Sequence, residues 1–128
     1  DYAYHEDEDR VVLRLPRSIA PIQVAVFPLV NDERLELRAR QIYDTLVNSG
    51  LYVIYDDSGS IGRRYARADE IGVPLAVTVD FQTLEDSTVT LRDRDSRKQV
   101  RVKESELTYK VLEYLRGTEL TSLGVPFA

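Results

Sequence analysis

Two short runs in this chain are apolar on both of their alternating faces, and a strand of that kind belongs in the middle of a sheet that is covered above and below. Val24, Ala25, Val26 and Phe27 carry the first, within residues 22–30, and Leu75, Ala76, Val77 and Val79 carry the second, within residues 75–81. Pro28 marks the end of the first run. Between them the pattern changes period. Leu35, Ala39, Ile42, Tyr43, Leu46 and Val47 recur at helical spacing over 33–48, with Asn31 or Asp32 available as N-cap and Gly50 as the residue that closes the helix. A further apolar run at 51–55 reads as a strand, followed by a second, shorter helix. Strands alternating with helices imply right-handed crossovers and a parallel core.

After Phe81 the period changes again. Residues 88–94 and 97–102 alternate around a turn at Asp95 and Ser96, placing Val89 and Leu91 against Val100 and Val102 on one face. The other face, with Thr90, Arg92, Gln99 and Arg101, is expected to meet solvent. A last helix over 104–116 uses Leu107, Val111, Leu112 and Leu115 and stops at Gly117. The pattern predicts an α/β fold, a three-layer domain with a five-stranded mixed sheet. The division is a polar lead-in at 1–20, the domain at 21–117 and a tail at 118–128 that the pattern does not place.

Composition narrows the chemistry. A chain of 128 residues, 43% of them hydrophobic, supports one core, and its lack of cysteine removes disulfides and thiolate metal sites. The one histidine, His5, stands in a polar segment, so neither a metal centre nor histidine-based catalysis is expected. No apolar run reaches the ~18 residues of a membrane span, and a cytoplasmic chain is expected. Methionine is absent, including at position 1, which leads to the expectation of a domain cut from a longer protein. The net charge of −5 is concentrated at the front: residues 1–10 hold five acids and one arginine, a net of −4, leaving −1 for the other 118. A near-neutral domain with local basic clusters suits a modest recognition module better than a general nucleic-acid clamp.

The most informative stretch is 56–74, reading DDSGSIGRRYARADEIGVP. Ser60 is placed to cap a helix of about three turns that Gly72 and Pro74 terminate. Arg63 and Arg64 then fall in the first turn, where the helix dipole disfavours cations by roughly 0.3–1 kcal/mol, and Arg63 with Arg67 is a like-charge i,i+4 pair. Two readings answer this. Asp56, Asp57, Asp69 and Glu70 supply the anions internally, or Arg63, Arg64 and Arg67 meet phosphate, which a helix N-terminus also favours. Asp56, Asp57 and Asp80 at strand ends evoke a receiver domain. That pattern needs its acid pair after the first strand and a lysine after the fifth, and neither is present. The turn at 58–62 also lacks the Gly-Lys-Ser/Thr ending of a P-loop.

The string at 56–74, followed by VTVDF (77–81) and TVTLRDRD (88–95), resembles the C-terminal anticodon-binding domain of glycyl-tRNA synthetase of the archaeal and eukaryotic type. The likeness extends through VVLRLPRSIAPIQVAVFPLV at the front and KQVRVKESEL at the back, and its looser parts are shared with other class IIa synthetases. This resemblance implies the class IIa anticodon-binding fold, with strand order 2-1-3-4-5 and strand four antiparallel. It implies a parent that is an ATP-dependent glycine–tRNA ligase, a homodimer with its catalytic domain in the same chain. ATP and Mg would be bound there, and no cofactor in this domain. The implied partner is the anticodon stem-loop of glycine tRNA, whose anticodons carry cytosines at the second and third positions.

Single-stranded bases are read along their edges and stacked on aromatic or arginine planes. Cytosine presents an N4 donor beside N3 and O2 acceptors, so its reader needs a carboxylate or carbonyl beside an arginine. Arg92, Asp93 and Asp95 offer that alternation at a hairpin tip, with Glu70 as a further acceptor and Phe81 or Tyr65 as stacking residues. The competing reading of the hairpin is a network of surface ion pairs, each worth about 0–1 kcal/mol. The functional alternative, from another class, is the same fold reused as a protein interaction module, as in the accessory subunit of a mitochondrial DNA polymerase.

Overall fold

The computed structural model describes residues 4–6, 11–13 and 20–127. Strands β1 (Tyr4–Glu6) and β2 (Val11–Leu13) pair antiparallel as a separate hairpin, and β2 lies against the second helix. The rest of the expected lead-in at 1–20 falls outside the described residues, Ala20 apart.

The main sheet is built on β3 (Val24–Pro28), all five residues of which are buried. β4 (Val53–Tyr55) and β5 (Leu75–Val79) flank it in parallel, with Val24 beside both Val53 and Leu75. β6 (Thr88–Asp93) runs antiparallel to β5, and β7 (Gln99–Lys103) antiparallel to β6. The order β4-β3-β5-β6-β7 is the 2-1-3-4-5 arrangement with its fourth strand reversed. The sheet has six strands rather than five. β8 (Val125–Phe127) pairs with β7 after a 3-10 turn, Leu120–Ser122, that buries Leu120 and Leu123. A three-residue strand containing proline is too short to show a period, which is why the sequence pattern does not place the tail.

Helix α1 (Glu33–Asn48) starts where Asp32 accepts the Arg34 N–H at 2.9 Å, and Gly50 past its end takes the left-handed φ of +89°. Its buried stripe is Leu35, Ala39, Ile42 and Leu46, narrower than expected because Val47 remains 39% exposed. α1 and α4 (Leu107–Leu115) cover one face of the sheet, packing with Val24, Val26, Val77, Val89 and Val100 into the main core. α2 (Ile61–Glu70) covers the other face, where Ala25, Phe27, Ala68, Val73 and Ala76 form a smaller core.

The third strand stops at Val79, two residues earlier than the sequence reading. Asp80 and Thr83 make a reciprocal capping box, and α3 (Phe81–Asp86) begins there. This short helix carries Phe81 and Gln82 out of the sheet to the surface.

Gly124 approaches β7 so closely that a Cβ would stand 2.4 Å from the Arg101 carbonyl oxygen and 2.7 Å from Val102 Cγ1. Gly124→Ala therefore forces β8 off β7 and should cost about 1–3 kcal/mol, the range for overpacking. Gly62→Ala meets nothing within 4 Å and should be neutral or stabilising by up to about 1 kcal/mol. Urea unfolding of the two variants checks the contrast.

Candidate functional site

The two ends of the sheet carry different residues. The carboxyl ends of β3, β4 and β5 gather the loops at 29–32 and 56–60, together with Asp80. The amino ends gather Leu75, Asp93 and the hairpin tip at 94–98. α2 spans the distance between them, about 15 Å for its ten residues.

At the carboxyl end, Arg63, Arg64 and Arg67 separate into three different roles. Ser60 caps α2 and accepts the Arg63 N–H at 3.3 Å. Arg64 was expected to hold phosphate, but it is 2% exposed and faces inward. Its guanidinium donates to the carbonyls of Pro28, Asp57, Ser58 and Gly59 and to Asn31 Oδ1, the last at 2.7 Å. The carbonyls that precede a helix are the local negative ends that a first-turn cation can reach by folding back, which answers the unfavourable dipole without phosphate. Arg67 pairs with Asp56 through two hydrogen bonds, at 2.9 and 3.0 Å, and also donates to Ser58. Burial works against the Asp56 carboxylate, but the Ser58 and Arg67 donors outweigh it and hold its pKa below the ordinary aspartate value. The internal-anion reading thus fits Arg67. Arg63 is exposed, and its side chain has no hydrogen bond or ion pair among the described residues.

Phe81 is 45% exposed at the start of α3, with the Arg34 guanidinium 5.6 Å from its ring centroid. Glu70 is exposed at the far end of α2.

At the hairpin the alternation Arg92, Asp93, Arg94, Asp95 does not present itself outward as a row. Asp93, expected to read bases, is 6% exposed and accepts from the Tyr114 hydroxyl and from the Ser96 N–H. It anchors the turn, in which Arg97 takes a left-handed φ of +61°. Arg94 is also buried, donating to the Gly72 carbonyl at 3.1 Å and to the exposed carboxylate of Asp95. Arg92 points to the α2 side. Its guanidinium sits 4.4 Å from the Tyr65 ring centroid and 3.5 Å from Asp69, with 11% of its side chain exposed.

That α2-side face was expected to be solvated along β6 and β7, and it is largely covered. Thr90 is 2% exposed, and Arg101 donates to Asp80 and to Thr88. Arg92 pairs across with Gln99, and Thr90 with Arg101, so the two arginines are diagonal neighbours on one polar face. Beyond Arg101 the face opens into a cleft of about 400 Å³ lined by Gln82, Thr88, Arg101, Lys103, Val125 and Pro126. Its lining combines polar and apolar side chains. Sequence reading missed Gln82 and Lys103 as site residues; the Asp80-x-x-Thr83 capping signature was the signal that would have placed Gln82 on a surface helix.

A family model described as an anticodon binding domain matches residues 23–114. The chain belongs to this family of anticodon-binding domains. Its relatives carry a more particular name: it is 62% identical to a glycine–tRNA ligase of Aeropyrum pernix, over 98% of this chain and 22% of that protein. It is 54% identical to the glycine–tRNA ligase of Methanocaldococcus jannaschii, over 91% of this chain and 20% of that one. For that of Archaeoglobus fulgidus the identity is 50%, over 99% and 23%. The chain spans about a fifth of the length of these curated relatives.

Arg64→Ala removes a donor from the carbonyls of Pro28, Asp57 and Gly59 and should destabilise the domain by about 3 kcal/mol, whereas Arg63→Ala should stay within about 0.5 kcal/mol of wild type in urea unfolding. Because the folded pKa of Asp56 is lowered, its contribution is fully present above the ordinary aspartate value, roughly pH 4, and is lost as pH falls through the folded value. The stability difference between wild type and Asp56→Asn should accordingly be constant from pH 7 to 5 and shrink below pH 4.

Proposed function

We propose that this chain is the tRNA-reading module of an ATP-dependent, homodimeric glycine–tRNA ligase, binding the anticodon stem-loop of glycine tRNA and leaving ATP, Mg and the acceptor end to a catalytic domain in the same parent chain. The observation that carries the reading is the polar face of β6 and β7. A domain of the anticodon-binding family sets Arg92 on an aromatic ring there, beside a cleft whose amide, ammonium and apolar walls match the edges and flat faces of a splayed base. The ligase relatives favour this reading over the protein-interaction alternative.

In mechanistic terms Arg92 donates to the acceptor edge of a cytosine, while Gln82 and Lys103 receive a base or its phosphate in the cleft. Asp95 and Glu70 remain as exposed acceptors for an N4 amino group, and Arg63 as a phosphate contact. Arg64 and Asp93 take no part in contact; they hold the loops that carry the others. The module performs no bond chemistry. It raises specificity through the difference between its affinities for cognate and noncognate tRNA.

Binding of the chain to glycine tRNA transcripts with two cytosines or altered bases at the second and third anticodon positions, at two salt concentrations, tests the reading. A preference of about 10-fold or more for the cytosines is expected, since one good bidentate contact is worth about 1–3 kcal/mol. Arg63→Ala and Lys103→Ala should weaken all transcripts alike and each lower the salt slope by about one. Equal, steeply salt-dependent binding to every transcript would overturn base reading by this module.

A further inference from the structure

Arg92 is held more firmly than a surface ion pair requires. The Tyr65 ring beneath it is fixed from two sides: it packs edge-to-face with Phe27, with centroids 5.5 Å apart and planes at 80°, and its hydroxyl shares a hydrogen bond of 2.6 Å with Thr78 Oγ1. Burial pushes the Tyr65 hydroxyl pKa up, with Thr78 and the Arg92 charge acting in the opposite direction, so the ring stays neutral. Asp69, one turn further along α2, is 3% exposed and 3.5 Å from Arg92 Nη1. Side chains from α2, β5 and β6 thus converge on one guanidinium. A buried carboxylate is a poor device for stability alone, because an apolar pair of similar size does as well without the desolvation cost.

We propose that Asp69 and Tyr65 are positioning residues for Arg92: the carboxylate fixes the direction of its fork and the ring fixes its plane, so that the guanidinium edge is set for the O2 and N3 acceptors of a cytosine before RNA arrives. This rests on the reading of Arg92 as a base-reading residue. The chemistry follows from geometry. A guanidinium is a rigid planar fork on a flexible stem, and its pairing with two adjacent acceptors discriminates only when the plane is defined. Ordering the stem in the free protein removes that cost from the cognate complex, where the fork finds both acceptors, and gives little to a complex whose base presents a donor instead. Phosphate attraction is indifferent to the plane and is left as it was.

The test is the ratio of affinities for transcripts with cytosine or with altered bases, measured for wild type, Asp69→Asn, Tyr65→Leu, Arg92→Ala and the double variant Asp69→Asn with Arg92→Ala. Asp69→Asn and Tyr65→Leu should each reduce the ratio by about tenfold, within the range over which neighbouring residues couple, with the salt slope unchanged. In the Arg92→Ala background, Asp69→Asn should have no further effect on the ratio, which a merely structural role of Asp69 would not give. If Arg92→Ala erases discrimination while both Asp69→Asn and Tyr65→Leu, folded by circular dichroism, retain the wild-type ratio, the positioning role is overturned. The same holds if Asp69→Asn lowers the ratio equally with and without Arg92. An unchanged ratio in Arg92→Ala itself overturns instead the reading of Arg92 on which the proposal stands.

Discussion

The fold of this domain depends on a buried arginine that belongs to no ion pair among the described residues. Arg64 enters the crevice between the β3–α1 and β4–α2 loops and donates to carbonyl oxygens on both, with Pro28 and Asn31 on one side and Asp57, Ser58 and Gly59 on the other. Both loops leave the carboxyl ends of neighbouring parallel strands, β3 and β4, one strand away from the β3/β5 switch point at which open α/β sheets of this order commonly bind ligands. A side chain of the protein fills the gap between them. Five donors in a fixed plane are well suited to the task, since a lysine would offer a point charge without the fork. With the loop clamped, Ser60 caps α2 at a defined place, and α2 in turn lays Tyr65 and Asp69 over the sheet.

The two faces of that sheet have different uses. The face under α1 and α4 is apolar from Val24 to Val102 except at Asp93, and holds most of the core. The face under α2 turns polar beyond β5, with Thr90, Arg92 and Arg101 in place of valines. A helix of ten residues covers only part of a six-stranded sheet, and the remainder is furnished with arginines held by acids from neighbouring elements. The charges are buried enough to be fixed and sit beside a cleft open enough to admit a base. This combination fits a reader of edges and planes better than it fits a clamp that relies on net charge.

Much of the fold was legible because period and punctuation agreed. The run at Val24–Phe27, the stripe of α1 and the alternation of β6 and β7 each have a length over which only one structure fits. Two elements were not legible for the same reason in reverse. α3 is six residues and β8 is three, and both are defined by a cap or a pairing rather than by a period. The site was readable as chemistry and less so as placement. The arginines stand out in the sequence against helix electrostatics, but whether Arg64 or Arg63 faces inward depends on a loop folding back over the helix start, which no spacing reports. Likewise the Asp93 side chain lies on the core face of β6 and meets Tyr114 from α4, a contact 21 residues distant in sequence.

One consequence concerns the borders of the sheet. A sheet that ends in an unprotected strand invites another chain to continue it, and the last strand on this side, β8, is only three residues long with proline at its centre. Pro126 offers no N–H to an incoming strand, so the ladder is interrupted one residue after Val125. The C-terminal segment that completes the sheet therefore also closes it. Along that border a neighbouring strand would meet the backbone donors of Val125 and Phe127 with a gap between them.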